Sequence, residues 1–300
     1  MQRRTFLTGS LAALGLNCLP ARGAEAGPHR RRIPGKSESV PAIGMGTWIT
    51  FDVGNDPSAR AERVKILRRF FEAGGTLIDS SPMYGSAQAV VGHCLEELRA
   101  RDKVFAATKV WVPGRERGIH QMTFSADLWG IPRFDLMQVH NLVDWQTHLR
   151  TLDRWRSERR VRHVGVTTSH GRRHAQLQEL MRTRALDFVQ FTYNIADREA
   201  EARLLPMAAE QGIGVIVNRP FQTGGLFNPV RGRELPAWAG GNGCRTRAQV
   251  FLKFVISHPA VTCAIPATSR ADHMAENMQA LYGPLPDPAL RERMVRYFEG

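Results

Sequence analysis

The chain alternates short apolar segments with longer segments that have the periodicity of helices. The short runs are rich in β-branched and aliphatic residues, which is typical of buried strands, and the longer segments repeat apolar residues every three or four positions. The pattern predicts eight strands, at residues 42–47, 76–79, 104–109, 134–140, 163–167, 188–193, 214–217 and 262–265. It predicts a helix after each strand, at residues 60–73, 87–100, within 119–129, 145–157, 172–181, 198–209, 247–257 and 272–281.

Eight strand–helix units favour an α/β fold, a single-domain (β/α)8 TIM barrel at residues 42–300. Such barrels typically contain about 250 residues, which agrees with the length of this segment. The alternative is a doubly wound dinucleotide-binding fold, which would place G-x-G-x-x-G directly after the first strand. The corresponding residues, Gly44-Met45-Gly46-Thr47-Trp48-Ile49, lack the third glycine, so the barrel is favoured.

Residues 1–26 have the order of features found in an export signal. Arg3 and Arg4 precede an apolar stretch at residues 11–19, and Ala24-Glu25-Ala26 matches an A-x-A cleavage site. We therefore predict a twin-arginine-type signal peptide at residues 1–26, which the twin-arginine export machinery would recognise to deliver the protein to the periplasm. The alternative is a basic leader without this role, and the protein would then be cytoplasmic. Residues 27–41 are expected to form a short hairpin or a disordered linker.

Composition and charge exclude several classes of protein. A content of 43% hydrophobic and 23% charged residues excludes intrinsic disorder, and no apolar run reaches the roughly 18 residues of a membrane span, so no stable membrane insertion of the mature chain is expected. The net charge is +13, but the basic residues are scattered and no nucleic-acid-binding motif is present, so nucleic acid is not an expected partner. The four cysteines are Cys18, Cys94, Cys244 and Cys263, and they form no C-x-x-C pair. The sequence therefore suggests neither a zinc site nor a redox motif.

Polar residues stand at the ends of the predicted strands, where barrel active sites are built. Asp79, Lys109 and His140 end three apolar runs. A buried lysine is costly without an opposite charge, and Asp79 on a neighbouring strand is the expected partner of Lys109. Tyr84 follows in the next turn, where the lysine ammonium is expected to lower the pKa of the phenol and make it a usable proton donor. His140 can donate a hydrogen bond to a carbonyl oxygen and orient it.

The order and spacing of these residues resemble a known family. Ile78-Asp79-x4-Tyr84-Gly85, Ala107-Thr108-Lys109 and Gln138-Val139-His140-Asn141 resemble the Asp/Tyr/Lys/His tetrad of the aldo/keto reductase family. The likeness runs from the opening strand at residues 43–48 to the closing segment at residues 265–277. It implies a nicotinamide cofactor bound extended across the barrel mouth, direct hydride transfer to or from a carbonyl carbon, and four catalytic residues, Asp79, Tyr84, Lys109 and His140.

The resemblance also implies which residues contact the cofactor. Thr167-Thr168 stands where the family usually has the Ser-Asn pair that holds the nicotinamide carboxamide, and Asn218 replaces its usual stacking aromatic ring. Arg270 precedes a predicted helix N-terminus and can pair with a 2′-phosphate, which favours NADPH over NADH. The implied contacts are Gly46, Thr47, Asp79, Thr167, Thr168, Gln190, Asn218, Arg219, Pro220, Thr268, Arg270, Glu276 and Asn277.

The expected activity is that of an NADP(H)-dependent aldo/keto reductase without a metal, which reduces an aldehyde or ketone to an alcohol or catalyses the reverse reaction. The substrate, a small carbonyl compound or alcohol, is expected to contact strand-end residues near the tetrad, namely Trp48, Phe51, Trp111, His140 and Asn141. Two alternatives remain open. One is a non-catalytic nicotinamide-binding accessory or sensor protein on the same barrel, motivated by Thr168 and Asn218. The other is a metal-dependent barrel enzyme with Asp79, His140 and either His163 or His170 as ligands.

Overall fold

The computed structural model describes residues 27–300, in which ten strands form two sheets. The first two strands pair antiparallel in a hairpin, with Arg31 opposite Val40. The other eight pair in parallel and in chain order. The strands are β1 (Arg30–Arg32), β2 (Ser39–Pro41), β3 (Met45–Gly46), β4 (Leu77–Asp79), β5 (Phe105–Val110), β6 (Phe134–Val139), β7 (Val161–Thr167), β8 (Phe188–Thr192), β9 (Gly214–Asn218) and β10 (Cys263–Ala264).

The parallel sheet closes on itself. A parallel bridge joins Ile43, just before β3, to Ala264 in β10, so the first and last barrel strands are neighbours. Gly46 permits a close approach at this seam, because a Cβ atom on that residue would lie 2.8 Å from the carbonyl oxygen of Ile265. The prediction of a single-domain α/β barrel with eight parallel strands is confirmed.

Helices cover the outside of the barrel. They are α1 (Pro57–Glu72), α2 (Ala87–Glu97), α3 (Arg115–Trp129), α4 (Trp145–Ser157), α5 (His174–Thr183), α6 (Leu204–Gln211), α7 (Ala237–Gly241), α8 (Arg247–Ile256), α9 (Ala271–Gln279) and α10 (Pro288–Glu299). None of the helices within residues 27–300 is both long and apolar enough to cross a membrane. The predicted signal peptide at residues 1–26 lies outside the described residues, and export stays a prediction.

The helix predicted at residues 198–209 is the largest error in the placement of elements. The chain forms a short 3-10 turn at Glu199–Glu201, and α6 begins only at Leu204. Pro206 gives the physical reason, because it has no N–H to donate to the preceding turn and its ring restricts the residue before it. A helix that begins at Leu204 places Pro206 in the first turn, where no intrahelical donor is required.

The barrel interior changes from apolar to polar along the strands. Successive side chains of a strand point alternately into the barrel and towards the helices. On β5, Phe105 and Ala107 belong to the interior apolar cluster, and Lys109 follows on the same face. The same order holds on three further strands, with Leu77 before Asp79, Leu136 before Gln138 and Phe188 before Gln190. Ile33 and Val40 from the hairpin also belong to this apolar cluster, which fills the end of the barrel where the strands begin. The polar side chains lie at the other end, where the strands end.

Candidate active site

Asp79 and Lys109 form an ion pair at the polar end of the barrel. Both side chains are buried, and the ammonium nitrogen of Lys109 contacts Oδ2 of Asp79 and donates to the carbonyl oxygen of Ser80 at 2.8 Å. Burial is the largest single influence on the pKa of Lys109 and lowers it, but the interactions with Asp79 and Tyr84 together outweigh burial. The net direction is upward, so the ammonium stays charged. The structure thus fixes a positive charge inside the barrel mouth.

The other carboxylate oxygen of Asp79 is held by two amides. Gln138 and Gln190 each donate a side-chain N–H to Oδ1 of Asp79, at 3.0 Å and 3.1 Å. A buried charge is stable only when such donors surround it. Gln138 was not among the site residues predicted from the sequence. The signal was the two-residue period of β6, which places Gln138 on the interior face between Leu136 and His140.

Tyr84 lies beside the ion pair. The ammonium nitrogen of Lys109 is 5.1 Å from the centre of the Tyr84 ring. Burial raises the pKa of Tyr84 above its ordinary value of 10.0, and the charge of Lys109 opposes that rise without cancelling it. Lys109 does act to lower the pKa of Tyr84, as expected, but the opposite effect of burial is larger and determines the net direction. The phenol is protonated at neutral pH and can donate its proton.

His140 packs against Tyr84 and is neutral. The two rings are nearly perpendicular, with centroids 5.7 Å apart. Burial, with a smaller effect from the charge of Lys109, lowers the pKa of His140 to about 2. Its Nδ1 atom lies 2.7 Å from the hydroxyl oxygen of Ser81. An uncharged imidazole at this position can still donate one hydrogen bond, and it places no second positive charge beside Lys109.

A cavity of 610 Å³ opens over these residues. Asp79, Tyr84 and His140 line its wall, whereas Lys109 lies behind them. Most of the residues assigned to the cofactor by sequence also line it, including Gly46, Thr47, Thr167, Thr168, Gln190, Asn218, Arg219, Pro220, Thr268, Glu276 and Asn277. Trp48 and Asn141, assigned to the substrate, lie on the same wall. The structure therefore gathers residues from the first to the last barrel strand around one space.

Three of the residues assigned by sequence lie elsewhere. Phe51 is fully buried in the outer apolar core, because the turn after β3 folds it inward. Trp111 is 42% exposed and does not line the cavity, although its ring centroid is 6.4 Å from that of His140. Arg270 does not line the cavity, and its guanidinium forms a two-point ion pair with Asp272, in which Nε lies 3.0 Å from Oδ1.

Several residues that line the cavity were not assigned by sequence, among them Ile49, Met83, Ser269 and His273. Ile49 has a φ of 64°, a left-handed conformation that is rare for a β-branched residue. It is also largely exposed at the cavity mouth. The position of Ile49 could have been predicted from its neighbour Trp48, because an apolar pair directly after a barrel strand is expected at the mouth of the barrel.

The cavity has features that fit a nicotinamide amide. The hydroxyl of Thr168 is buried and has no hydrogen-bond partner within residues 27–300. The side chain of Asn218 is held at both its atoms, since it donates one N–H to the carbonyl oxygen of Thr168 at 2.9 Å and accepts from Thr192 at 2.8 Å. An unsatisfied buried hydroxyl is costly, and a ligand carboxamide in the cavity would satisfy it. Thr168 would hold that group, and Asn218 would support Thr168.

The geometry does not favour the metal-enzyme alternative. Both oxygens of Asp79 are already bound by Lys109 and the two glutamines. His163 lies at the start of β7, where it stacks on Phe105 and contacts Glu38 from the hairpin. Within residues 27–300, no three His, Cys, Asp or Glu side chains are grouped so that they could hold a metal ion.

Known proteins resemble this chain in sequence. Residues 42–292 match the aldo/keto reductase family. Methylglyoxal reductase YeaE of Escherichia coli is 31% identical over 253 residues, which cover 81% of this chain and 86% of that protein. An NADH-specific methylglyoxal reductase of the same organism is 26% identical, and the match covers 71% of this chain and 73% of the relative.

A solved structure shares the fold. The aldo/keto reductase from Klebsiella pneumoniae, in complex with NADP and acetate, superposes with a TM-score of 0.74 and is 26% identical. The superposition covers 88% of this chain and 94% of that chain. Because the family match extends over most of the sequence and the barrel agrees with a solved member, the chain belongs to the aldo/keto reductase family.

Proposed function

We propose that the protein is an NADP(H)-dependent oxidoreductase that reduces an aldehyde or ketone to an alcohol, with Tyr84 as the general acid. One observation carries the proposal: the protonated phenol of Tyr84 lies at the cavity wall, directly in front of the buried Lys109–Asp79 ion pair. Chemistry at a carbonyl carbon needs a proton donor at the oxygen and a fixed positive charge behind that donor. The nicotinamide dinucleotide supplies the hydride when it is bound.

Each residue of the tetrad has a separate task in this reaction. Tyr84 gives its proton to the carbonyl oxygen during reduction and takes it back when an alcohol is oxidised. Lys109 stabilises the negative charge that Tyr84 carries after the transfer, and Asp79 keeps Lys109 charged and in place. His140 donates a hydrogen bond to the same oxygen and so fixes the orientation of the carbonyl group.

The proposed substrates are small carbonyl compounds. The two curated relatives described above are named methylglyoxal reductases, which makes methylglyoxal a first compound to test. The substrate end of the cavity is apolar at its rim, where Trp48, Ile49 and Met83 are each at least partly exposed. We therefore also propose aldehydes and ketones with an apolar substituent as substrates, because that substituent would cover these side chains.

The proposed cofactor is NADP(H), and the region around Arg270 determines the preference. Arg270 is the N-cap residue of α9, close to the cavity residues Ser269 and His273. A related solved structure is a complex with NADP, whereas one curated relative is named NADH-specific. The 2′-phosphate would have to compete with Asp272 for the guanidinium of Arg270.

Replacing Asp272 with Asn is therefore expected to tighten NADPH binding by about twofold to fivefold, the range expected when one exposed ion pair is removed. The substitution frees Arg270 and removes a negative charge near the 2′-phosphate. The measurement is a fluorescence titration of the wild type and of Asp272→Asn with NADPH and with NADH. NADH is the internal control, because it lacks the 2′-phosphate. An equal change for both cofactors would assign the effect to something other than Arg270.

The experiment that tests the activity begins with the same titrations on the wild-type protein. A panel of aldehydes and ketones that includes methylglyoxal then follows, with the consumption of NADPH and of NADH as the readout. We expect saturable binding of NADPH and steady turnover with at least one compound. Binding without turnover over the whole panel would favour the accessory or sensor protein. Absence of binding would reject both functions.

Export of the folded protein through the twin-arginine route is a further part of the proposal, and it rests on Arg3, Arg4 and the following apolar stretch in the sequence. That route suits a protein that acquires its cofactor before export.

A further inference from the structure

Ser81 stands in the turn that carries the chain from Asp79 to Tyr84. Its side chain is fully buried. Its hydroxyl oxygen lies 2.7 Å from Nδ1 of His140 and accepts the backbone N–H of Met83 at 3.2 Å. The hydroxyl group therefore links the turn that presents Tyr84 to an imidazole that lines the cavity.

The proton on Ser81 can be assigned from these two contacts. A serine hydroxyl has one hydrogen to donate, and the N–H of Met83 already uses one of its lone pairs. Within residues 27–300, Nδ1 of His140 is the acceptor within reach of that hydrogen. A proton on Nδ1 would leave the buried hydroxyl of Ser81 without an acceptor, which is the costly arrangement. Nδ1 is therefore the acceptor, and the imidazole proton is on Nε2.

The second nitrogen of the ring is directed to the cavity. His140 lines the cavity wall, and no side chain or backbone group in the described part of the chain bonds to its Nε2. The imidazole is also uncharged, because burial keeps the pKa of His140 far below neutral. A neutral imidazole whose Nδ1 accepts a hydrogen bond has one donor, the N–H at Nε2. That N–H is directed to the cavity, where a carbonyl oxygen would bind.

We propose that Ser81 is a positioning residue, which holds His140 as the Nε2–H tautomer and aims that N–H at the substrate carbonyl oxygen. The kinetic part of this inference rests on the proposed function, and the tautomer does not. The competing explanation is that Ser81 only shapes the turn through its contact with Met83. The two explanations differ in what they predict for the imidazole of His140.

The first arm of the test measures the tautomer directly by ¹⁵N NMR of the histidine side chains at neutral pH, without substrate. The His140 signals are identified by their loss in His140→Gln. We expect Nε2 to carry the proton in the wild type, and we expect Ser81→Ala to shift the Nδ1 resonance and to populate the second tautomer. A proton on Nδ1 in the wild type, or unchanged His140 signals in Ser81→Ala, would overturn the proposal. This arm gives an answer even if the protein turns over no carbonyl compound.

The second arm measures kinetics. Ser81→Ala is expected to lower kcat/KM about tenfold with NADPH binding unchanged, as for the loss of one buried hydrogen bond that orients a catalytic group. Ser81→Thr keeps the hydroxyl and should restore most of the rate. In the His140→Gln background, Ser81→Ala should cost nothing further, because Ser81 acts through His140. A full tenfold loss in that background would show that Ser81 acts by another route.

The matched control is Ser125→Ala on α3. Ser125 is also a buried serine, and its hydroxyl accepts from Gln88 at 3.0 Å and donates to the carbonyl oxygen of Gln121 at 2.9 Å. Its removal deletes a buried hydroxyl that has no hydrogen bond to His140. We expect Ser125→Ala to leave kcat/KM within about twofold of the wild type and the His140 signals unchanged.

Discussion

Replacing Tyr84 with Phe is expected to lower kcat/KM for carbonyl reduction by about a thousandfold and to leave the affinity for NADPH within about twofold of the wild type. The substitution removes only the phenolic hydroxyl. The ring that packs against His140 and Lys109 remains, so the cavity keeps its shape. Turnover is measured by the consumption of NADPH, and affinity is measured by fluorescence titration.

The pH dependence of the wild type tests the same role. Because burial raises the pKa of Tyr84, its phenol keeps the proton throughout the neutral range, and kcat for reduction should fall only above pH about 10. The pKa of His140 is lowered to about 2, so no change is expected near pH 6.5, where an ordinary histidine titrates. An inflection near pH 6.5 that disappears in His140→Gln would contradict the uncharged imidazole.

The control for Tyr84 is another tyrosine, Tyr297 on α10. Its hydroxyl donates to the carbonyl oxygen of Glu234 at 3.3 Å, away from the cavity. Tyr297→Phe also removes one phenolic hydroxyl and should keep full activity. If Tyr84→Phe retained substantial aldehyde reduction, Tyr84 would not be the general acid, and the proposed mechanism would be wrong.

The strands, and the meeting of Asp79, Tyr84, Lys109 and His140 at one end of the barrel, were predictable from sequence for a simple reason. Buried parallel strands are apolar on both faces, so a lysine that ends such a run, as Lys109 ends β5, stands out. The length of a strand is less evident. The opening strand was predicted at residues 42–47, whereas β3 contains only Met45 and Gly46, because pairing with β4, and not apolarity, defines its ends.

Contacts that depend on register or on a choice between partners could not be predicted. Gln138 reaches Asp79 only because β6 pairs with β5 in a register that places Gln138 opposite Lys109. Ser81 reaches His140 through the shape of a turn, which the spacing of residues does not specify. The guanidinium of Arg270 could pair with a phosphate or with Asp272, two residues later, and the sequence alone does not show which partner it takes.

Replacing Lys109 with Met is expected to lower both activity and stability. It leaves the carboxylate of Asp79 buried without its cation and the carbonyl oxygen of Ser80 without its donor. Breaking a buried ion pair from one side typically costs about 3–5 kcal/mol in the free energy of unfolding. The loss of the positive charge behind Tyr84 should lower kcat/KM by about a thousandfold, the upper part of the range for a fixed charge at a reacting oxygen. Chemical denaturation and NADPH consumption measure the two effects.

The double variant Asp79→Asn with Lys109→Met separates stability from catalysis. With both charges removed, no uncompensated ion remains in the barrel, and the free energy of unfolding should return to within about 2 kcal/mol of the wild type. Activity should stay at the level of Lys109→Met, because neither neutral side chain can stabilise the deprotonated phenol of Tyr84. A double variant that regained activity with its stability would show that Lys109 serves only the fold. Wild-type stability in Lys109→Met alone would show that Asp79 is compensated by Gln138 and Gln190 without the lysine.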